Sequence, residues 1–337
     1  MRILRKLLLP FSWLYGIVVF IRNLMYDSGW LKSMSYDFPV ICIGNLSVGG
    51  TGKSPMTEYV IRLLSPKFKI AVLSRGYKRL SDGFVMASDA IGVKDLGDEP
   101  YQYHRKFKDI AVAVDADRQN GINELRERTS AEVIILDDAF QHRKVKAGLN
   151  ILLTVYGDIY KDDHLLPAGN LRDNKSQSKR ADIIIVTKCP IELPIEAQKD
   201  VSKRLALEEG QRLYFSTITY EEHIYGSNSK MSLEELKNEE VTLVTGIANP
   251  GPLLHFLKSR DISFEHLSYP DHHNFSPMEI KFLQKKHFVL TTEKDFVRLE
   301  DELDKAFYLP IRTDFLENGD EFDSRLLEFA GNGLLAD

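Results

Sequence analysis

An α/β fold, with a parallel sheet sandwiched between helices, a second and smaller α/β unit, and an amino-terminal helix that meets membranes, is what the sequence predicts. Three observations carry it. From residue 39 to about 215, short apolar runs alternate with helical patterns, as a parallel sheet with crossover helices requires. A glycine-rich loop closes the first of these runs, and a fresh set of apolar runs begins at Val241.

The first element is the most informative. Residues 39–55 read as a buried strand, then Val48-Gly49-Gly50-Thr51-Gly52-Lys53-Ser54-Pro55, then a helix start. This is the anatomy of a P-loop: glycines turn backbone N–H groups toward phosphate oxygens, Lys53 reaches the β and γ phosphates, and the Ser54 hydroxyl can ligate Mg²⁺. The strict pattern places glycine five residues before Gly52, and Ser47 stands there. Gly49 and Gly50 are expected to supply the bend. A nucleoside triphosphate is the expected ligand.

Further strands are expected at 70–73, 110–114, 133–136, 150–154, 183–187 and 213–219. Most are continuous apolar runs, which implies burial on both faces, with functional loops at their carboxyl ends. Residues 220–240 are polar, lack a core pattern and form a candidate hinge or linker. The smaller unit is expected over 241–337, with strands at 241–246 and 288–292 and a helix near 252–259. The P-loop core is assigned to 36–219 and the amino-terminal segment to 1–35.

Composition limits the function. The 337 residues suit one large or two moderate domains, and a net charge of −5 argues against a general nucleic-acid binder. Cys42 and Cys189 both lie in apolar surroundings and form neither a disulfide framework nor a zinc spacing. At the amino terminus, Arg2, Arg5 and Lys6 precede an apolar run from Leu7 to Ile21. A secretory signal lacks its cleavage site here, and a spanning helix needs about 20 apolar residues. An interfacial helix anchored by Trp13, Tyr15 and Tyr26 fits best, the alternative being a helix packed on the protein's own core.

Several clusters could carry chemistry. An apolar run over 133–136 closes with Asp137-Asp138, the form of a strand whose aspartate holds Mg²⁺ beside a P-loop. Gln141 and His142 follow directly; the imidazole could be a ligand, a proton carrier or a structural donor. Gly97-Asp98-Glu99-Pro100 offers either a base near the γ phosphate or a helix cap. Arg118 and Arg172 each follow a strand or turn, and a guanidinium fork suits phosphate oxygens; surface ion pairs are the plainer account. Ser74-Arg75-Gly76-Tyr77-Lys78-Arg79 gathers cations around a glycine. Asp271-His272-His273 pairs imidazoles with a carboxylate without a zinc-like partner cluster, and Thr292-Glu293-Lys294-Asp295 ends a later strand. In Val186-Thr187-Lys188-Cys189-Pro190, Pro190 replaces the aspartate that would read guanine, so ATP is expected over GTP.

Taken together and in order, these motifs resemble the tetraacyldisaccharide 4′-kinase family of Gram-negative bacteria over most of the chain, and the Ser47 variation is similar to that family's own loop. The resemblance implies ATP- and Mg²⁺-dependent phosphorylation of the 4′-hydroxyl of an acylated disaccharide 1-phosphate at the cytoplasmic face of the inner membrane. It implies two α/β units joined by a short two-stranded linker, with no protein partner. It further implies Lys53 on the transferring group, Ser54 with Asp137 or Asp138 on Mg²⁺, and Asp98 as base, with His272 pairing with it to orient it or tune its basicity. Arg75, Tyr77, Arg118, Gln141, His142 and Arg172 would position phosphates or the sugar. The rival readings are a P-loop kinase of a soluble metabolite and a nucleotide-dependent switch or metallochaperone.

Overall fold

The computed structural model describes residues 5, 7–227, 229–271 and 273–332. Its strands in chain order are β1 (Val40–Asn45), β2 (Ile70–Ser74), β3 (Val85–Met86), β4 (Ala111–Val114), β5 (Val133–Asp137), β6 (Leu149–Val155), β7 (Ile183–Thr187) and β8 (Arg212–Tyr220), followed by β9 (His223–Tyr225), β10 (Lys230–Ser232), β11 (Val241–Thr245), β12 (Phe264–Ser268), β13 (Phe288–Thr292), β14 (Ala306–Leu309) and β15 (Ile311–Phe315). The first sheet has the order β15-β8-β7-β6-β1-β5-β2-β4-β3. Its interior is parallel, and β3 and β15 close the edges in antiparallel sense.

Period-2 alternation divides the interior strands between two cores. Cys42, Leu73, Ile134, Leu136 and Leu152 pack toward Ile122 and Leu125 of helix Arg118–Arg128 and Val201 and Leu205 of helix Ile195–Leu205. Ile41, Ile43, Val72, Ile135 and Leu153 pack toward Met56, Val60, Ile61 and Leu64 of helix Lys53–Leu64. Burial on both faces is why these strands read as unbroken apolar runs. Successive strands β5 and β6 lie on opposite sides of β1. The loops leaving the carboxyl ends of β1 and β5 therefore open a crevice at a point where strand order reverses.

The second sheet runs β10-β9-β14-β13-β11-β12, with β12, β11, β13 and β14 parallel. The chain crosses to it after β8 and returns through β15, which pairs with β8 from Ile311↔Tyr220 to Phe315↔Ser216. Two expected boundaries are redrawn. The 220–240 segment is built into the second unit: β9 and β10 form a hairpin, and Ile224, Leu233 and Leu236 are fully buried in that unit's core. A strand followed by a 3-10 turn has no single period, so their apolar positions leave no pattern in sequence. Residues 319–332 belong to the first unit, because helix Gly319–Asn332 returns to the first sheet. Phe322, Leu326 and Ala330, one helical stripe, complete the core around Val60 and Ile61.

Helix Leu9–Asp27 is long and apolar enough to cross a membrane, yet only a narrow stripe of it is buried. Ser12, Val19 and Asn23 face the protein. Ser12 Oγ donates to Leu165 O at 2.9 Å, and Asn23 Nδ2 donates to Asp173 Oδ1 at 2.7 Å. Tyr15, expected as a membrane anchor, lies on the same stripe three residues after Ser12 and turns inward, donating to Arg172 O at 2.8 Å. Tyr26 packs under Arg143 and Arg22. The opposite face leaves Phe11, Trp13, Leu14, Ile17 and Phe20 exposed, as is Trp30 just beyond.

Candidate active site

The glycine-rich loop leaves β1 at Asn45 and enters helix Lys53–Leu64. Gly49, Gly50 and Gly52 have φ of +58°, +67° and +83°, a region where a side chain is strained. Ser47 is not among the positive-φ residues; it bridges to Leu171, so glycine is not needed there. Thr187 at the end of β7 donates to Thr51 O at 2.8 Å and pins the far side of the loop.

Asn45 organises the site. It is completely buried, donates through Nδ2 to Thr51 Oγ1 at 2.8 Å, and accepts at Oδ1 from Lys53 Nζ at 3.4 Å and Arg172 Nη2 at 2.5 Å. Arg172 also grips Asp138 with both terminal nitrogens, at 2.7 and 3.1 Å, and Lys53 Nζ lies 3.6 Å from the same carboxylate. Asp138 adopts a left-handed φ of +50°, which an aspartate tolerates better than most residues. Burial opposes its charge, but Lys53 and Arg172 outweigh burial and hold its carboxyl below the ordinary value. Two cations share one carboxylate at the mouth of the loop, an arrangement prepared for further anionic charge.

Asp137 has the opposite environment. It ends β5 at 4% exposure, and its hydroxyl partners Thr57 Oγ1 and Ser74 Oγ stand at 3.3 and 3.5 Å. Burial, followed by the charges of Asp138 and Glu99, pushes it up to about 7. A buried carboxylate with long hydroxyl contacts, next to the Ser54 helix start, fits a hard divalent cation held by few protein oxygens and completed by phosphates. Among the described residues, no cluster of three or more His, Cys, Asp or Glu gathers as a softer metal would require. Burial pushes the thiols of Cys42 and Cys189 up to about 12, consistent with inert core positions.

The other expected residues divide. Gln141 reaches the site, its Nε2 donating to Asn45 O at 2.6 Å. Arg118 is 2% exposed and donates to Asp115 O at 2.8 Å and Ala116 O at 3.3 Å; burial and the nearby Arg75 push it down to about 10. Burial and Arg118 push His142 down to about 4, so its imidazole is neutral at physiological pH and does not serve as a cation. Arg75 and Tyr77 are exposed beyond β2. Asp98 is the first residue of helix Asp98–Lys106, capped by Gly97 without a side-chain cap bond. The helix-cap reading of Asp98 is therefore not what the fold uses; its carboxylate pairs with Arg298 of the second unit. His272 lies outside the described residues. Its neighbour His273 bonds Glu279 at 3.1 Å and stacks on Tyr269.

Sequence reading missed Asn45 as a site residue, together with Thr57, Thr187 and Arg298. Asn45 carried a signal, being a polar amide at the end of an otherwise apolar strand immediately before the loop. The others depend on pairings across the fold.

Sheet, loop and paired cations together define a P-loop phosphotransferase. The family model for tetraacyldisaccharide-1-P 4′-kinase, LpxK, matches residues 4–330. A tetraacyldisaccharide 4′-kinase of Flavobacterium johnsoniae is 48% identical over 340 residues, covering 99% of each chain. That of Bacteroides thetaiotaomicron is 44% identical, covering 97% of this chain and 93% of its own. A crystal structure of LpxK from Aquifex aeolicus in complex with ATP superposes with a TM-score of 0.79 at 32% identity, covering 97% of this chain and 99% of that one. The chain belongs to the tetraacyldisaccharide-1-P 4′-kinase family. It is a kinase of lipid A biosynthesis that phosphorylates the 4′-hydroxyl of a tetraacyldisaccharide 1-phosphate, and it carries one amino-terminal helix long and apolar enough to cross a membrane.

Proposed function

We propose that the γ-phosphoryl group of ATP passes to the 4′-hydroxyl at the cleft between the two units, with Asp98 accepting the hydroxyl proton. The observation that carries this reading is the Lys53–Asp138–Arg172 cluster at the loop mouth. The helix bearing Asp98 starts against the end of β2: a Cβ on Gly97 would stand 3.0 Å from Tyr77 O. Glu99, one residue on, lies close enough for its charge to raise Asp137.

A loose phosphoryl-transfer transition state asks for alignment and charge neutralisation. Lys53 and Arg172 supply the cations, and the backbone N–H groups of residues 48–54 cradle the phosphates. Ser54 and Asp137 would hold Mg²⁺, since Asp138 is already neutralised by Arg172 and Lys53. When bound there, the ion would supply positive charge to offset that developing on the transferring group. Gln141 fixes the Asn45 carbonyl, while exposed Arg75 and Tyr77 are available to the acceptor. Arg118, buried against Asp115 and Ala116, shapes the loop behind them. His272 would pair with Asp98, to orient it or to tune its basicity.

The membrane mode follows from the amino-terminal helix. One stripe is hydrogen-bonded to the 165–173 segment, and the opposite face exposes large apolar side chains, with Trp13 at 74% and Trp30 at 81% exposure. This supports a monotopic helix lying in the interface of the cytoplasmic leaflet, where ATP and the acylated acceptor meet. The test is transfer from γ-labelled ATP to a tetraacyldisaccharide 1-phosphate in mixed micelles, with the product read by ³¹P NMR. A second phosphomonoester supports the reading; bound ATP with an unlabelled lipid overturns it in favour of a soluble acceptor.

A further inference from the structure

Helix Asp98–Lys106 meets the second unit through a strip of ion pairs with residues 293–300. Glu99 pairs with Lys294 at 3.2 Å, Arg105 with Glu300 at 2.8 Å and Lys106 with Glu293 at 2.6 Å. At the first residue of this helix, Arg298 Nη2 grips Asp98 Oδ2. Arg298 is itself fixed. Its side chain is 10% exposed, its Nη1 donates to His273 O at 3.3 Å, and Nη1 lies 3.6 Å from Asp295 Oδ1. Asp295 in turn is completely buried, accepting from Gly246 N at 2.8 Å and Thr292 Oγ1 at 2.7 Å. A chain of contacts therefore runs from the β11 end through Asp295 and Arg298 to the carboxylate on the other unit, and touches His273 on the way.

We infer that Arg298 is a positioning residue for phosphoryl transfer: it sets the rotamer of Asp98 and couples the placement of that carboxylate to the docking of the second unit. The inference rests on Asp98 being the base. A short acid on the first turn of a helix can be held with one oxygen directed at the acceptor by a partner on the facing unit. The guanidinium fork provides this with geometry that an ammonium cannot fully copy. Arg298 belongs to the unit that does not carry the phosphate loop, so its loss should leave nucleotide binding alone and lower turnover, the sign of an interaction used in the transition state.

The experiment compares wild type, Asp98→Ala, Arg298→Ala, Arg298→Lys and the Asp98→Ala/Arg298→Ala double variant, each checked for an unchanged unfolding midpoint. Readouts are kcat, KM for both substrates and ATP Kd. The expected result is a kcat loss of about 10- to 100-fold in Arg298→Ala, with ATP Kd and KM within about twofold of wild type. Arg298→Lys should recover part of that loss, and the double variant should be no slower than Asp98→Ala alone, because residues acting as a unit are non-additive. An inactive Asp98→Ala with a fully active or faster Arg298→Ala overturns the inference and leaves the base intact. A fully active Asp98→Ala instead removes the reading on which it rests. If Arg298→Ala is destabilised, Arg298→Lys decides: wild-type kcat with unchanged stability would show that charge alone suffices and no positioning is needed.

Discussion

Replacing Lys106 with methionine removes the one ammonium that joins two buried carboxylates. Lys106 Nζ lies 2.7 Å from Glu58 Oε2, and 2.6 and 2.9 Å from the oxygens of Glu293; the two carboxylates are 2% and 10% exposed. Glu58 keeps Arg62 at 2.7 Å and Gln102 at 2.7 Å, so Glu293 bears most of the loss. Breaking a buried pair by deleting one partner costs about 3 to 5 kcal/mol. Burial, followed by the charge of Glu58, has already pushed Glu293 up to about 7. A carboxyl raised above its unfolded value holds more protons folded than unfolded, so its contribution to stability falls as pH rises from about 4.5 through 7.

Between pH 8 and pH 6 that group returns about 1.4 kcal/mol in wild type, and more in the variant, where loss of the ammonium raises its carboxyl further. Urea unfolding followed by circular dichroism at both pH values measures this. Lys106→Met should be destabilised at pH 8 and should recover roughly 1 kcal/mol more than wild type at pH 6. An equal loss at both pH values, or one under about 1 kcal/mol at pH 8, would refute the argument that these three groups form one desolvated network.

Arg172→Lys keeps a charge but forfeits the bidentate grip on Asp138 and the bond to Asn45. It should lower kcat by about 10- to 100-fold in steady-state transfer assays, with unfolding midpoints changed little. Replacing Trp13 and Trp30 together by serine should weaken vesicle binding at least about tenfold, since each exposed ring offers roughly 2 kcal/mol of burial. Co-sedimentation reads it, and ATP affinity should not change.

The parallel sheet was legible because strands buried on both faces are written as unbroken apolar runs, and the phosphate loop because glycine, lysine and serine are needed at fixed spacing. The second unit was less so. Ile224, Leu233 and Leu236 belong to a strand and a 3-10 turn and share no period, and helix Gly319–Asn332 joins the first sheet only after the chain has crossed away and back. At the site, Lys53, Asp137, Asp138 and Arg172 were legible from local motifs. The inward turn of Tyr15, the burial of Arg118 and the neutral state of His142 were not, because each depends on what a distant element packs against. Arg298 lies 200 positions from Asp98, and no local pattern announces such a pairing.

The most direct test of the account is single-turnover phosphoryl transfer by Asp98→Asn, with ATP and the acylated acceptor saturating, beside ATP binding on the same preparation. Asparagine keeps the shape and removes the basicity. Transfer slowed by about 10² to 10³ with ATP Kd unchanged is the expected result. Transfer at the wild-type rate, or a loss explained wholly by weaker ATP binding, would contradict it.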